Sequence, residues 1–153
     1  MSLSVQDVMV RQVLTIDATQ NAKNAARLMS KFGVSSLIVS SDDDIVGILT
    51  ERDILVRVVS SGQDPEKVII GEIMSEPIIV VKPETPLDEA IKIMFRERIK
   101  KLPVMCREEE RMKLVGIISI TDVARLQPRL IEDMKTLIDH AGMDPTEIDF
   151  YIR

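Results

Sequence analysis

Two aspartates, Asp53 and Asp122, each stand three residues after a hydroxyl side chain, Thr50 and Ser119. A hydroxyl can donate to a phosphate or a sugar, and a carboxylate can accept from both hydroxyls of a ribose. The same spacing also marks a helix start, with Ser or Thr as N-cap and an acid at the third helical position. Both uses draw on the same side chains, so they compete. In each copy an aliphatic run leads into the hydroxyl: Gly47-Ile48-Leu49-Thr50 and Gly116-Ile117-Ile118-Ser119. Each run reads as a short strand delivering the hydroxyl to the first turn of a helix, whose free N–H groups favour an anion.

The elements around the first copy follow from periodicity. Residues 4–8 form a short helical lead-in with Ser4 as cap, and residues 13–16 are β-prone. Ala22, Ala25, Ala26 and Met29 recur at helical spacing, Gly33 stops that helix, and Thr19 and Asn21 compete to cap it. Residues 37–39 and 45–49 form a hairpin about the polar turn Asp42-Asp43-Asp44. A second helix over residues 50–59 is closed by Ser60-Ser61-Gly62.

The pattern then starts again. Met74, Ala90, Met94, Leu102 and Val104 match Met9, Ala25, Met29, Leu37 and Val39 at an offset of 65. Beyond a second hairpin turn, over residues 107–113 and four residues longer, Gly116 and Asp122 match Gly47 and Asp53 at an offset of 69. Thr85-Pro86 opens the repeated helix, since Pro suits the first helical position. The reading is α+β: two β-α-β-β-α repeats over 4–62 and 71–126, a linker over 63–70, and a helical tail over 127–153. A three-stranded sheet with helices on one side leaves a face unburied, so two repeats are expected to pack with pseudo-twofold symmetry. In the tail, Leu130, Ile131, Met134, Leu137 and Ile138 form one apolar stripe on a helix opened by Pro128 and closed by Gly142. That helix is expected to pack on its own module or on a second copy.

Composition excludes several classes. Over 153 residues the net charge is -5, which argues against nucleic-acid binding. Aromatic residues make up 3%, so base-stacking platforms are scarce. The single Cys106 and single His140 give neither a disulfide nor a zinc cluster. No apolar run approaches the length of a membrane span and no signal peptide is read, so a cytoplasmic location is expected. Asp42, Asp44, Gly47 and Asp53 imitate a calcium loop, but Val46 holds a ligand position and the twelfth residue is not Glu. Glu108-Glu109-Glu110 reads as a solvated turn, and the paired Met residues as core filler.

The doubled Gly-aliphatic-aliphatic-Thr/Ser-x-x-Asp motif, the Met-containing lead-ins and the element order together resemble a tandem pair of cystathionine-β-synthase (CBS) domains, a Bateman module, over residues 4–126. The resemblance implies a non-catalytic regulatory module. Its ligand would contain adenosine: an adenine nucleotide such as AMP, ADP or ATP, or an S-adenosylmethionine-like molecule, in clefts between the repeats. By the same resemblance Asp53 and Asp122 hold ribose hydroxyls, while Thr50 and Ser119 lie at phosphate or ribose. The first cleft would receive Ile79, Ile99, Lys100 and Lys101, and the second Leu14, Val34, Ser35 and Ser36. The aliphatic members would sandwich adenine. Arg52 either reaches a phosphate or pairs with a surface acid, and Thr121 lies inside the second motif. Lys100 and Lys101, against the neutral Ser35 and Ser36, suggest that the Thr50/Asp53 cleft prefers the more phosphorylated ligand; a solvated basic helix end is the competing reading. The first repeat departs from the family at Ile38, where the second carries Pro103. Pairing into a homodimer through the helices and signalling to an effector protein are expected. The alternative is a structural or oligomerisation subunit with empty clefts. No cofactor, metal, membrane or enzymatic activity is expected.

Overall fold

The structure, a computed structural model, describes residues 2–140, and the side chains of these up to residue 136. Leu137, Ile138 and His140 as side chains, Gly142, and the end of the tail lie outside that description. The chain forms two compact units. One is Val13–Ile78; the other joins the N-terminal residues up to Gln12 to the chain from Ile79 onward.

In the first unit, β1 (Thr15–Asp17) runs parallel to β2 (Ser36–Ser41), which pairs antiparallel with β3 (Asp44–Thr50). Asp42 and Asp43 both have positive φ, 50° and 67°, so the hairpin turns on two residues. That is the mirror-image turn whose twist suits paired strands. Helix α1 (Ala22–Phe32) is capped by Asn21, whose side chain accepts the Asn24 N–H at 2.9 Å. Thr19 instead donates its hydroxyl to Asp17 at 2.7 Å. Of the expected helical stripe, Ala22, Ala25 and Met29 are buried and Ala26 is exposed. Helix α2 (Glu51–Ile54) continues as a π-helical turn, Leu55–Val59, rather than as one α-helix to Val59. The short α3 (Ile70–Ile73) follows and shares a core with Ile16, Leu37, Val39 and Leu49.

The second unit repeats this plan. Its elements are a 3-10 turn (Val5–Asp7), α4 (Leu87–Arg96), β4 (Lys101–Glu108), β5 (Arg111–Ser119), α5 (Ile120–Leu126) and α6 (Pro128–His140). Pro86 stands at the N-cap of α4, one residue earlier than expected. Glu108 faces Arg111, so this hairpin also turns on two residues. The extra residues lengthen the ribbon and not the turn.

The expected third strand is reduced to one bridge, Val81 to Val104. Pro103 supplies the reason. In the first unit Ile38 N–H donates to Leu14 C=O at 3.0 Å, opening the β1–β2 pairing. Pro103 fills the matching position and has no N–H to donate. Helix α6 packs on its own unit, with Ile131 and Met134 buried in the core that holds Leu87, Ile91, Met94 and Ile118.

Candidate functional site

Each motif is built by a strand that ends at its hydroxyl and a helix that starts there. Ser36 lies opposite Thr50, and Lys101 opposite Ser119. The first helical N–H is satisfied alike in both: Glu51 donates to Ser35 C=O at 3.0 Å and Ile120 to Lys100 C=O at 2.8 Å. A register shift falls in each hairpin just beyond the motif glycine, between Val39 and Ser40 and between Val104 and Met105.

The motif glycines are demanded by a third segment. Val10 bridges Ile117 and Ser75 bridges Ile48, so each hairpin edge is covered by a lead-in. A Cβ on Gly116 would sit 2.7 Å from Met9 Sδ and 2.9 Å from Val10 C=O; on Gly47, 2.6 Å from Met74 Sδ and 3.0 Å from Ser75 C=O. Only glycine admits such an approach. Residues 4–10 thus serve the motif they do not adjoin in sequence, and residues 69–75 serve the other. Ser4 pairs with Pro86 as Ile69 pairs with Asn21.

The two carboxylates differ. Asp53 is buried, 6% exposed. Its Oδ2 accepts the Thr50 N–H at 2.9 Å, and its own N–H donates to Thr50 Oγ1 at 3.1 Å, a complete capping box. The Ser75 hydroxyl donates across both Asp53 oxygens, 2.9 Å to Oδ1 and 3.2 Å to Oδ2. Asp122 is half-buried, and α5 shows the forward half of the box, Asp122 N–H to Ser119 Oγ at 3.0 Å. The residue matching Ser75 is Val10, which has no hydroxyl.

The sets expected around each carboxylate divide between the units. Thr50, Arg52 and Asp53 lie in the first unit with Leu14, Val34, Ser35 and Ser36; Ser119, Thr121 and Asp122 lie in the second with Ile79, Ile99, Lys100 and Lys101. Leu14 and Val34 pack at the edge of the first core, and Ile79 and Ile99 at the edge of the second. Arg52, Thr121, Ser35 and Lys100 are exposed, Lys101 is half-buried and Ser36 is buried. An open groove of about 450 Å³ in the first unit runs over Met29, Gly33, Val34, Glu51 and Ile54. Two participants escape a motif reading, Ser75 and Arg57. Arg57 Nη1 donates to the carbonyls of Ile73 and Met74, both at 2.9 Å. The signal available for Ser75 is a polar residue where the other lead-in has Val10.

Among the described residues, no group of three or more His, Cys, Asp or Glu is placed to hold a metal, and no helix is long and apolar enough to cross a membrane. The family model of the CBS domain matches residues 5–60 and again 70–129. The chain belongs to the CBS-domain family, as a tandem pair. An uncharacterized protein of Methanopyrus kandleri is 37% identical over 88% of this chain and 69% of its own length. An inosine-5'-monophosphate dehydrogenase of Methanocaldococcus jannaschii is 26% identical over 84% of this chain but only 25% of its own length. Among solved structures, a hexameric CBS-CP12 protein from bloom-forming cyanobacteria superposes with a TM-score of 0.74 at 30% identity, covering 93% of this chain and 86% of that one. The mixed α and β architecture of the pair is that of its CBS-domain neighbours.

Proposed function

We propose that this CBS pair is a non-catalytic sensor of an adenosine-containing ligand, AMP, ADP, ATP or an S-adenosylmethionine-like molecule, whose state a partner protein reads. The observation that carries the reading is the doubled hydroxyl-and-carboxylate joint, built on the same backbone in both repeats. A carboxylate three residues after an N-cap hydroxyl can accept from the vicinal hydroxyls of a ribose. The ligand acts by its differential affinity for two arrangements of the protein. The enzyme match supports binding over catalysis, because it extends over a quarter of that enzyme's length. Self-association through the helices is part of the proposal. Its support is the apolar side chains that the π-helical turn leaves exposed, Leu55, Val56 and Val59.

The competing reading is an oligomerisation subunit whose sites stay empty. It draws on the capping bonds that already engage Thr50, Asp53 and Ser119. Thermal shift with a nucleotide panel separates the two, since a ligand of the folded state raises Tm by mass action. The sensor reading expects a concentration-dependent rise with adenosine compounds and none with pyrimidine nucleotides. A flat response to the whole panel overturns it.

A further inference from the structure

We infer that Asp53 is a latch holding the residue 70–75 lead-in on α2, and that it is thereby withdrawn from ligand binding. This rests on the sensor reading above and says which of its two carboxylates is available. A ribose diol grips a carboxylate through the edge that both oxygens share. On Asp53 that edge carries the Ser75 hydroxyl, which reaches both oxygens. The side chain is buried, and its Oδ2 also accepts the Thr50 amide. A second fastening lies one helical turn on, where the Arg57 guanidinium holds the carbonyls of Ile73 and Met74. Together the two side chains grip consecutive residues, 73 to 75, of the same segment.

The other repeat lacks both fastenings. At the matching positions Ser75 becomes Val10 and Arg57 becomes Leu126, and neither side chain can donate. Both are exposed, at 43% and 57%. The backbone joint is nonetheless the same, with Val10 and Ile117 exchanging N–H···O bonds of 2.9 Å in each direction. Covering the hairpin edge therefore does not require the polar contacts. Their presence in one repeat alone makes Asp53 structural and leaves Asp122 as the ribose acceptor, one ligand per chain.

The test is calorimetric titration of the full chain with AMP and with ATP, beside nucleotide-free melting. The wild type is expected to bind one nucleotide per chain. Asp122→Asn should weaken it at least about tenfold, the worth of one charge-assisted hydrogen bond. Asp53→Asn should leave affinity within about twofold while lowering the nucleotide-free Tm by several degrees. Two nucleotides per chain in the wild type, falling to one in Asp53→Asn, would overturn the inference. Should Asp53→Asn not fold, Ser75→Ala removes only the donor. A lowered nucleotide-free Tm in that variant supports the latch, and an unchanged Tm sinks it. If wild-type protein binds neither AMP nor ATP, nor S-adenosylmethionine in the same titration, the sensor reading fails, and the latch is still decided by the Ser75→Ala melting.

Discussion

The two lead-in joints share a backbone and differ in side chains. In both, a segment from elsewhere in the sequence closes the hairpin edge beside a glycine, with a methionine sulfur where a Cβ would go. In one, a serine and an arginine add hydrogen bonds; in the other, a valine and a leucine add none. The comparison separates what the fold needs from what one repeat has added. Close approach and edge pairing are common to both, so they belong to the architecture. The polar fastening is particular to one, so it belongs to that repeat's task. Pro103 gives the opposite case: a residue of the second repeat that removes a pairing the first retains.

The largest effect tests the shared part. Gly47→Ala and Gly116→Ala should each destabilise by about 1–3 kcal/mol, the usual cost of overpacking a close contact. The methionine tip can swing away, but the carbonyls of Ser75 and Val10, 3.0 and 2.9 Å from the new Cβ, belong to backbone held by a bridge. Similar losses in urea denaturation would show that both joints bear the same constraint. A neutral result in one would break the equivalence. Next comes the part that differs. Arg57→Leu copies the second repeat into the first and removes two hydrogen bonds to lead-in carbonyls. A loss of about 1–2 kcal/mol is expected, against a change within about 0.5 kcal/mol for Leu126→Ala at the exposed counterpart.

Much of this was legible in the sequence because the repeat made each position its own control. The matched Met, Ala and Leu positions located both cores, and the hydroxyl–x–x–Asp spacing located both N-caps. Pairing across long sequence separation was not legible. Nothing in the residue 4–10 segment says that it covers a hairpin edge beyond residue 110, because edge pairing is made by backbone groups that every residue carries. The second hairpin misled in a related way. Extra residues between two strands look like a longer turn, yet they pair as further rungs, Arg107 with Met112 and Glu108 with Arg111. The π-helical turn has no sequence signal either, since Leu55, Val56, Val58 and Val59 around Arg57 suit either helix. At the site itself, the hydroxyls and carboxylates were found by spacing. Ser75 has no such spacing signal, because it lies outside the motif that it alters.

A smaller effect separates the repeats at the end of their first long helices. Gly33 closes α1 at φ 63°, and Arg98, its match at the offset of 65, takes φ 57° after α4. The backbone bonds agree: Val34 N–H reaches Met29 C=O at 3.1 Å, and Ile99 N–H reaches Met94 C=O at 3.0 Å. The left-handed region suits glycine and strains arginine. Arg98→Gly should therefore stabilise the chain by roughly 0.5–1 kcal/mol, and Gly33→Ala should destabilise it by about 1 kcal/mol or somewhat more. A destabilised Arg98→Gly would show that the contacts of its side chain outweigh the strain.

The smallest expected effect is acid-dependent and again falls on unmatched residues. Asp7 accepts from the Ser4 N–H at 2.8 Å and the Ser4 hydroxyl at 3.0 Å, and these bonds hold its carboxyl below the ordinary value. The matching lead-in begins at Ile69, which offers no side-chain cap. Asp17 is likewise lowered, by the hydroxyl and then the amide of Thr19. Its match is Lys82, whose amide is held instead by the Thr85 hydroxyl, which does not titrate in this range. A carboxyl lowered in the folded state binds fewer protons there than in the unfolded chain. Its stabilisation is therefore complete above the unfolded value, near pH 4, and is lost as pH falls through the folded value. Melting measured from pH 5 down to pH 3 should show a decline that Asp7→Asn and Asp17→Asn each flatten in part. Because the two clips share no partner, their effects should add. The first turn of the residue 69–75 lead-in carries no such clip; that segment's carboxylate contact, Ser75 on Asp53, lies at its far end. Amide exchange at Val5–Asp7 should quicken with acid before exchange at Ile70–Ile73 does, and the reverse order would refute the assignment.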